Sequence, residues 1–186
     1  MATVQETNCH PFRHKNWLYV HNGEIFGVEA IRQDLTVAVA KELYTEILGT
    51  TDSEVMFYLA LTFGLESEPL RALARMAGFV EEKARSKGIE ESLWMTLGVS
   101  DGNNIYAVRY ASDGNAPTLY YSRDIESFRR DHPDLPGGLS PSSRFVVSEP
   151  GGKYGDLWIE VPQSSCLRVC HGKVEIIPFK PIAPGS

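Results

Sequence analysis

The run Val55-Met56-Phe57-Tyr58-Leu59-Ala60-Leu61 is apolar all round and follows Thr51-Asp52-Ser53-Glu54. Thr51 with Glu54 three residues later fits the capping box that opens a helix. A helix without a polar face cannot lie on a surface and must be covered on every side. Helices on both flanks give part of that cover. From about Val28 to Leu48, Ile31, Leu35, Val39 and Leu43 recur at helical spacing, with Gly49 as a stop. From about Pro69 to Ser86, Pro69 suits the first turn, Leu70, Leu73, Ala77, Val80 and Ala84 fall on one stripe, and Gly88 lies beyond the end.

After Gly88 the pattern turns to strands. Trp94 to Val99 and Ile105 to Tyr110 flank Ser100-Asp101-Gly102-Asn103-Asn104 and read as a hairpin. Further strands are expected at Leu119–Ser122, Arg144–Ser148, Leu157–Val161, Ser165–Cys170 and Val174–Ile177. A short helix is expected at Ile125–Arg130, a loop at Asp131–Ser143 and a Gly-rich turn at Glu149–Asp156. Ahead of the helices stands only Trp17–Val20, read as a strand entering a tight turn at His21-Asn22-Gly23. Helices early and antiparallel strands late make an α+β chain. The shortage of early strands beside a helix that needs cover implies that the chain starts partway into a layered structure.

With 186 residues the chain suits a single domain, residues 1–186, and hides roughly 70% of its unfolded surface on folding. No apolar stretch approaches the ~18 residues of a membrane span, and the polar N-terminus lacks a secretory signal's apolar core. A net charge of −6 without a basic cluster argues against nucleic acid as a partner. Three cysteines, an odd and sparse set, point to a reducing, cytoplasmic setting. Cys166 and Cys170 on one strand lie ~13 Å apart, too far for a disulfide. Neither they nor the histidines have a ligand set at metal-binding spacing, so no metal and no cofactor are expected.

Asn22-Gly23 admits two readings. It is a hairpin-turn pair by pattern, and it is also a pair of donors, side-chain amide and backbone N–H, that can converge on a developing oxyanion. Asp52 is a first-turn acid favoured by the helix dipole; the same field keeps it ionised and able to hold a substrate ammonium. His14 reads as a loop residue facing solvent and His21 as a hydrogen-bonded core residue. Cys9 and His10, adjacent in an extended segment, point opposite ways and make a poor thiol–imidazole pair. Ser164 and Ser165 read as turn formers, since no nucleophile elbow surrounds them.

The order Thr7-Asn8-Cys9-His10-Pro11-Phe12-Arg13, Trp17-Leu18-Tyr19-Val20-His21-Asn22-Gly23-Glu24-Ile25 and Gly49-Thr50-Thr51-Asp52-Ser53-Glu54 resembles the class II glutamine amidotransferases, particularly their small stand-alone bacterial members. Val147-Ser148-Glu149-Pro150 and Trp158-Ile159-Glu160-Val161-Pro162 are similar to that subgroup's C-terminal strands. The resemblance implies an N-terminal-nucleophile hydrolase fold, a four-layer α-β-β-α sandwich. It also implies hydrolysis of the glutamine side-chain amide through a cysteine thioester that releases ammonia. On it, Asn22 and Gly23 form the oxyanion hole, Asp52 grips the substrate α-ammonium and His10 stands near the site in support.

The sequence departs from the family pattern at its front. The nucleophilic cysteine should lead the mature chain, but the chain starts Met1-Ala2-Thr3 and has no cysteine before Cys9. The arginine that clamps the substrate carboxylate should precede the Asn-x-His-Pro segment, but none occurs before Arg13. The expectation is therefore the C-terminal two thirds of the family domain, a fold incomplete at its N-terminus and inactive as a glutaminase by itself. It would associate with itself or with a complementing N-terminal segment. The alternatives are a non-catalytic module that binds an amino-acid-like ligand, and a hydrolase of other γ-glutamyl small molecules in a restored full-length form.

Overall fold

The computed structural model describes residues 4–131, 139–150 and 157–184. After a short 3-10 turn at Glu6–Asn8, the chain forms β1 (Phe12–His14), β2 (Trp17–Ile25), α1 (Val28–Val37), α2 (Lys41–Tyr44), α3 (Asp52–Thr62) and α4 (Pro69–Arg85). It continues with β3 (Leu93–Ser100), β4 (Asn104–Ala111), β5 (Tyr120–Ser122), α5 (Ile125–Asp131), β6 (Val146–Val147), β7 (Trp158–Glu160), β8 (Ser165–Cys170) and β9 (Lys173–Pro178). A six-stranded antiparallel sheet runs β1-β2-β3-β4-β8-β9, and a three-stranded one runs β6-β5-β7. Mixed helices and antiparallel sheets agree with the α+β expectation. Parts of the expected 131–143 loop and 149–156 turn lie outside the described residues. No helix among the described residues is long and apolar enough to cross a membrane.

The apolar run Val55–Leu61 lies in α3. Every residue from Ser53 to Leu61 is buried, because β2 covers one side and α1 and α4 cover others. Phe57 stacks on Tyr19 of β2 with ring centroids 5.2 Å apart. Thr51 caps α3 by accepting from the Glu54 N–H at 3.2 Å. The reciprocal half of the capping box is absent: the Glu54 carboxylate turns away and accepts from Leu48 N–H at 3.0 Å and Gly49 N–H at 2.7 Å. A buried carboxylate with two backbone donors fixes the chain entering the helix.

The segment from Val28 to Leu48 is two helices, not one. The chain breaks between Val37 and Lys41, where Ala40 is extended (ψ 139°) and its N–H bonds the Thr62 hydroxyl at 3.0 Å. The apolar spacing ran through the break because Leu35 and Val39 still face the core.

The large sheet is covered unequally. Its helix-side face carries Tyr19, Leu93, Met95, Leu97 and Val99, all buried under α1, α3 and α4. On the opposite face, Ala107, Leu167 and Val169 of β4 and β8 pack against Leu119 and Val161 beside the small sheet. Arg109 pins this second interface. Only 6% exposed, it bonds Glu160 at 2.6 Å, Val161 O at 2.7 Å and Pro117 O at 2.9 Å. At the β1–β2 end no such cover exists among the described residues, and Leu18 and Val20 stand 43% and 47% exposed. The space beside them is the cleft described next.

Candidate active site

Asn22 and Gly23 do not form a turn. They lie inside β2, paired with Thr96 and Met95 of β3. The local Asn-Gly signal is overridden by β3, which pairs with β2 from Leu18 to Ile25. The glycine answers a close approach instead. A Cβ at position 23 would sit 2.1 Å from the Trp94 carbonyl oxygen and 2.7 Å from His21 Nε2.

The hydrogen-bond alternation of an antiparallel strand fixes which way the donors of β2 point. Phe26 N–H bonds Ser92 O, toward β3, at 2.8 Å. Ile25 N–H therefore points the other way, and it meets Asp52 Oδ2 at 3.1 Å. Two residues back, the Gly23 N–H has the same sense as that of Ile25, toward the edge where Asp52 stands. β1 pairs with β2 only as far as Tyr19, so this edge has no strand on it beyond that point among the described residues. The step from 25 to 23 along a strand is ~7 Å, comparable to the distance from an amino acid's α-amine to an amide at the end of its side chain.

Asp52 is held in place from several sides. Its Oδ1 accepts from its neighbour Ser53 N–H at 2.8 Å, and the Ser53 hydroxyl lies 2.9 Å from His21 Nδ1. His21, Ser53 and Asp52 thus form a continuous polar link from the centre of β2 to the first turn of α3. His21 is 9% exposed, and besides Ser53 its ring faces the backbone of Trp94. Burial lowers its pKa to about 4, against the opposing pull of the Asp52 carboxylate. Burial also lowers the pKa of His10, and Asp52 again pulls the other way. The Tyr19 hydroxyl, buried without a partner, is raised by burial first and by Asp52 second. His10, His21 and Tyr19 all lie within the field of the same carboxylate.

His10, His21 and Asn22 share the lining of a cleft of about 540 Å³ with Leu18, Val20 and Thr96. Its other wall carries Leu119, Val146 and Val147 beside and within the small sheet. Asp52 stands at the rim of β2 and not among the lining residues. The structure therefore brings His10 and Asn22 to one cleft and sets Gly23 and Asp52 along the strand edge that borders it.

The sequence reading missed several of these contacts. Asn8 joins two of the motifs directly: its Oδ1 accepts from Thr50 N–H at 2.7 Å and its Nδ2 donates to Thr50 Oγ1 at 3.1 Å. Gly49 leaves room for that contact, since a Cβ there would meet Thr7 O and Asn8 Oδ1 at 2.5 Å. Ser53, within the quoted motif, carries the link to His21. His14 is not a solvent-facing loop residue: it is 8% exposed at the end of β1 and bonds Glu46 at 2.7 Å. No signal near His14 announces a partner 32 residues away. His21 is core, as read, with Nδ1 bonded to the Ser53 hydroxyl at 2.9 Å.

The three thiols are all elsewhere. Cys9 is exposed and its Sγ donates to Gln5 O at 3.5 Å. Cys166 is buried, with its pKa pushed up to about 12 by burial. Cys170 sits 3.2 Å from His171 Nδ1 at the end of β8. No group of histidines, cysteines and acids able to hold a metal occurs among the described residues.

Helices over an antiparallel sheet, with amide donors and the first-turn carboxylate of α3 along one strand edge, make up a class of fold that known proteins share. No family model matches the chain. A solved structure described as a glutamine aminotransferase class-II domain protein, from Silicibacter pomeroyi, is 36% identical with a TM-score of 0.80, covering 96% of this chain and 74% of that one. The probable glutamine amidotransferase DUG3 of Saccharomyces cerevisiae is 27% identical over 90% of this chain. This chain spans about half (54%) of that curated relative's length. A predicted glutamine amidotransferase from Pseudomonas aeruginosa (17% identical, TM-score 0.53, 91% of this chain and 65% of that one) shares the fold. So does the glutamine phosphoribosylpyrophosphate amidotransferase of B. subtilis (14% identical, TM-score 0.55, 96% of this chain and 33% of that one). The chain belongs to the class II glutamine amidotransferase family.

Proposed function

We propose that the open edge of β2 is the amide-hydrolysis site of this family, with glutamine or a related γ-glutamyl amide as substrate. The observation that carries the reading is the shared edge: Gly23 N–H and Asp52 face one side of one strand, and Asn22 opens into the adjoining cleft. The α-ammonium sits against the carboxylate of Asp52 in the first turn of α3. The side-chain carbonyl reaches Gly23 N–H and the Asn22 amide, and His10 flanks it. As a thiolate adds to that carbonyl, negative charge moves onto the oxygen and these donors stabilise it, each by about 3 kcal/mol. The C–N bond then breaks, the amine leaves as ammonia after taking a proton from the attacking group's base, and water cleaves the thioester.

The thiol for this step is not at the cleft. Cys9 turns to Gln5, Cys166 is buried and protonated, and Cys170 is at the end of β8. In this reading a segment outside the described cleft, from the same polypeptide or a partner copy, brings a cysteine and a carboxylate-binding arginine to the exposed Leu18 and Val20. A four-layer sandwich completed by that segment is the fold this reading expects. The free thiols fit a reducing, cytoplasmic setting. The same placement of the thiols supports a second reading, a module that binds a γ-glutamyl ligand without turning it over.

Calorimetry tests the site. L-Glutamine binds the purified chain, its analogue lacking the α-amine binds about tenfold or more weakly, and Asp52→Asn shows the same loss with L-glutamine. Equal binding of all these pairs would overturn the site. Ammonia release stays at background; release above it would overturn the need for an outside thiol.

A further inference from the structure

A second cavity, of about 570 Å³, lies on the far side of the molecule from the proposed site, between the start of α4, the β8–β9 edge and the tail that follows β9. Ile182 N–H bonds Ala74 O at 2.9 Å, so the tail is strapped across α4 and closes one wall. Gly78 permits the strap: a Cβ there would stand 2.1 Å from Ile182 O. The volume is that of a small-molecule pocket.

Its charge is opposite to that of the chain. The protein carries a net charge of −6, yet the lining includes the cations Arg71, Arg168 and Lys180 and a single carboxylate, Glu68. None of these cations is well paired. Arg71 is 3.6 Å from Glu68, both half exposed, and Arg168 is 3.8 Å from Glu175. Lys180 has no ion pair among the described residues. The Arg168 Nε is buried and lacks any hydrogen-bond partner. Its guanidinium lies 5.8 Å over the Tyr106 ring, which fixes the plane of its fork. The N-terminus of α4, with Glu68 at its N-cap and no acidic residue in its first turn, opens on the same cavity. Leu70, Phe179 and Ile182 make the rest of the wall apolar.

We propose that this pocket binds a phosphate monoester of a ring-bearing small molecule, its phosphate among Arg168, Lys180 and Arg71 and its ring against Phe179 and Leu70. Glu68 and Glu175 each stand against one of the three cations at 3.6 and 3.8 Å, which leaves Lys180 unanswered and both pairs long enough for a phosphate monoester, carrying about −1.5 to −2 near pH 7, to compete for Arg71 and Arg168. Two oxygens of a tetrahedral phosphate can accept side by side from the fork of Arg168. The site is separate from the β2 edge and does not depend on the proposed amide chemistry.

Titration with phenyl phosphate, followed by calorimetry and by amide shifts of Leu70, Arg168 and Phe179, tests this. Phenyl phosphate binds saturably, and benzoate and inorganic phosphate each bind at least about fivefold more weakly. Lys180→Gln and Arg168→Gln each weaken phenyl phosphate about tenfold, while Lys87→Gln, outside the lining, and Asp52→Asn leave it unchanged. Lys180 makes no hydrogen bond among the described residues, so its variant keeps the parent's melting temperature and remains interpretable. Absence of saturable binding, or affinity unaffected by both pocket variants, overturns the proposal. Benzoate binding as tightly as phenyl phosphate overturns the phosphate assignment.

Discussion

Gly23→Ala is the substitution to which β2 should respond most sharply. Alanine fits most strands, and removing a glycine stabilises a folded chain by about 0.4–1 kcal/mol through the unfolded state. At position 23 the new methyl would lie 2.1 Å from Trp94 O and 2.9 Å from Trp94 C, both backbone atoms of the paired strand. No rotamer change relieves a collision with backbone, so β2 and β3 must part locally. Overpacking of this kind costs about 1–3 kcal/mol, and backbone contact puts position 23 at the top of that range. Gly98 on β3 is the natural control. Its Cβ would meet only the Val20 Cγ2 at 3.3 Å, a side chain that can give. Both variants share the unfolded-state gain, so their difference isolates the collision, about 2–3 kcal/mol. Urea unfolding of the two variants and the parent measures it, and for a chain of this size that difference corresponds to roughly 4–12 °C in melting temperature. If Gly23→Ala is no less stable than Gly98→Ala, the close approach does not explain the glycine.

Other substitutions probe the remaining contacts. His21, with its pKa lowered from 6.5 to about 4, is neutral when folded and takes up a proton on unfolding between those values. The stability it contributes is whole above about pH 6.5 and is lost as pH falls toward 4, about 3 kcal/mol in all. His21→Gln should flatten the pH dependence of the urea midpoint in that window; an unchanged slope would refute the buried neutral state. Arg109→Ala should cost about 3 kcal/mol by stranding the carbonyls of Pro117 and Val161, and Arg109→Lys less, measured by urea unfolding. Glu54→Ala should cost about 2 kcal/mol and raise hydrogen exchange at Leu48 and Gly49, whose N–H groups lose their acceptor.

The parts of the fold that were legible in the sequence are those decided locally. The unbroken apolar run of α3, the Pro69 start of α4 and the Asp101-Gly102 turn between β3 and β4 each carry their own signal. Position 101 shows why: its carboxylate accepts from Asn103 and Asn104 N–H at 2.8 and 2.6 Å, within the loop itself. What was not legible depends on distant chain. Asn22-Gly23 reads as a turn until β3 is laid beside it. The break before α2 is made by Thr62, far along the chain, and His14 is buried by its bond to Glu46. The residues of the candidate site were picked out by a resemblance. The placement of Gly23 and Asp52 along one strand edge, and the Ser53 link between His21 and Asp52, are products of packing that no spacing shows.

The location of bound glutamine decides the matter most directly. In ¹⁵N–¹H spectra of the chain titrated with L-glutamine, the largest shifts should fall on the Gly23 and Ile25 backbone amides and the Asn22 side-chain amide, and Asp52→Asn should abolish them. Shifts that leave these groups unmoved while glutamine binds elsewhere would show that the strand edge is not the substrate site.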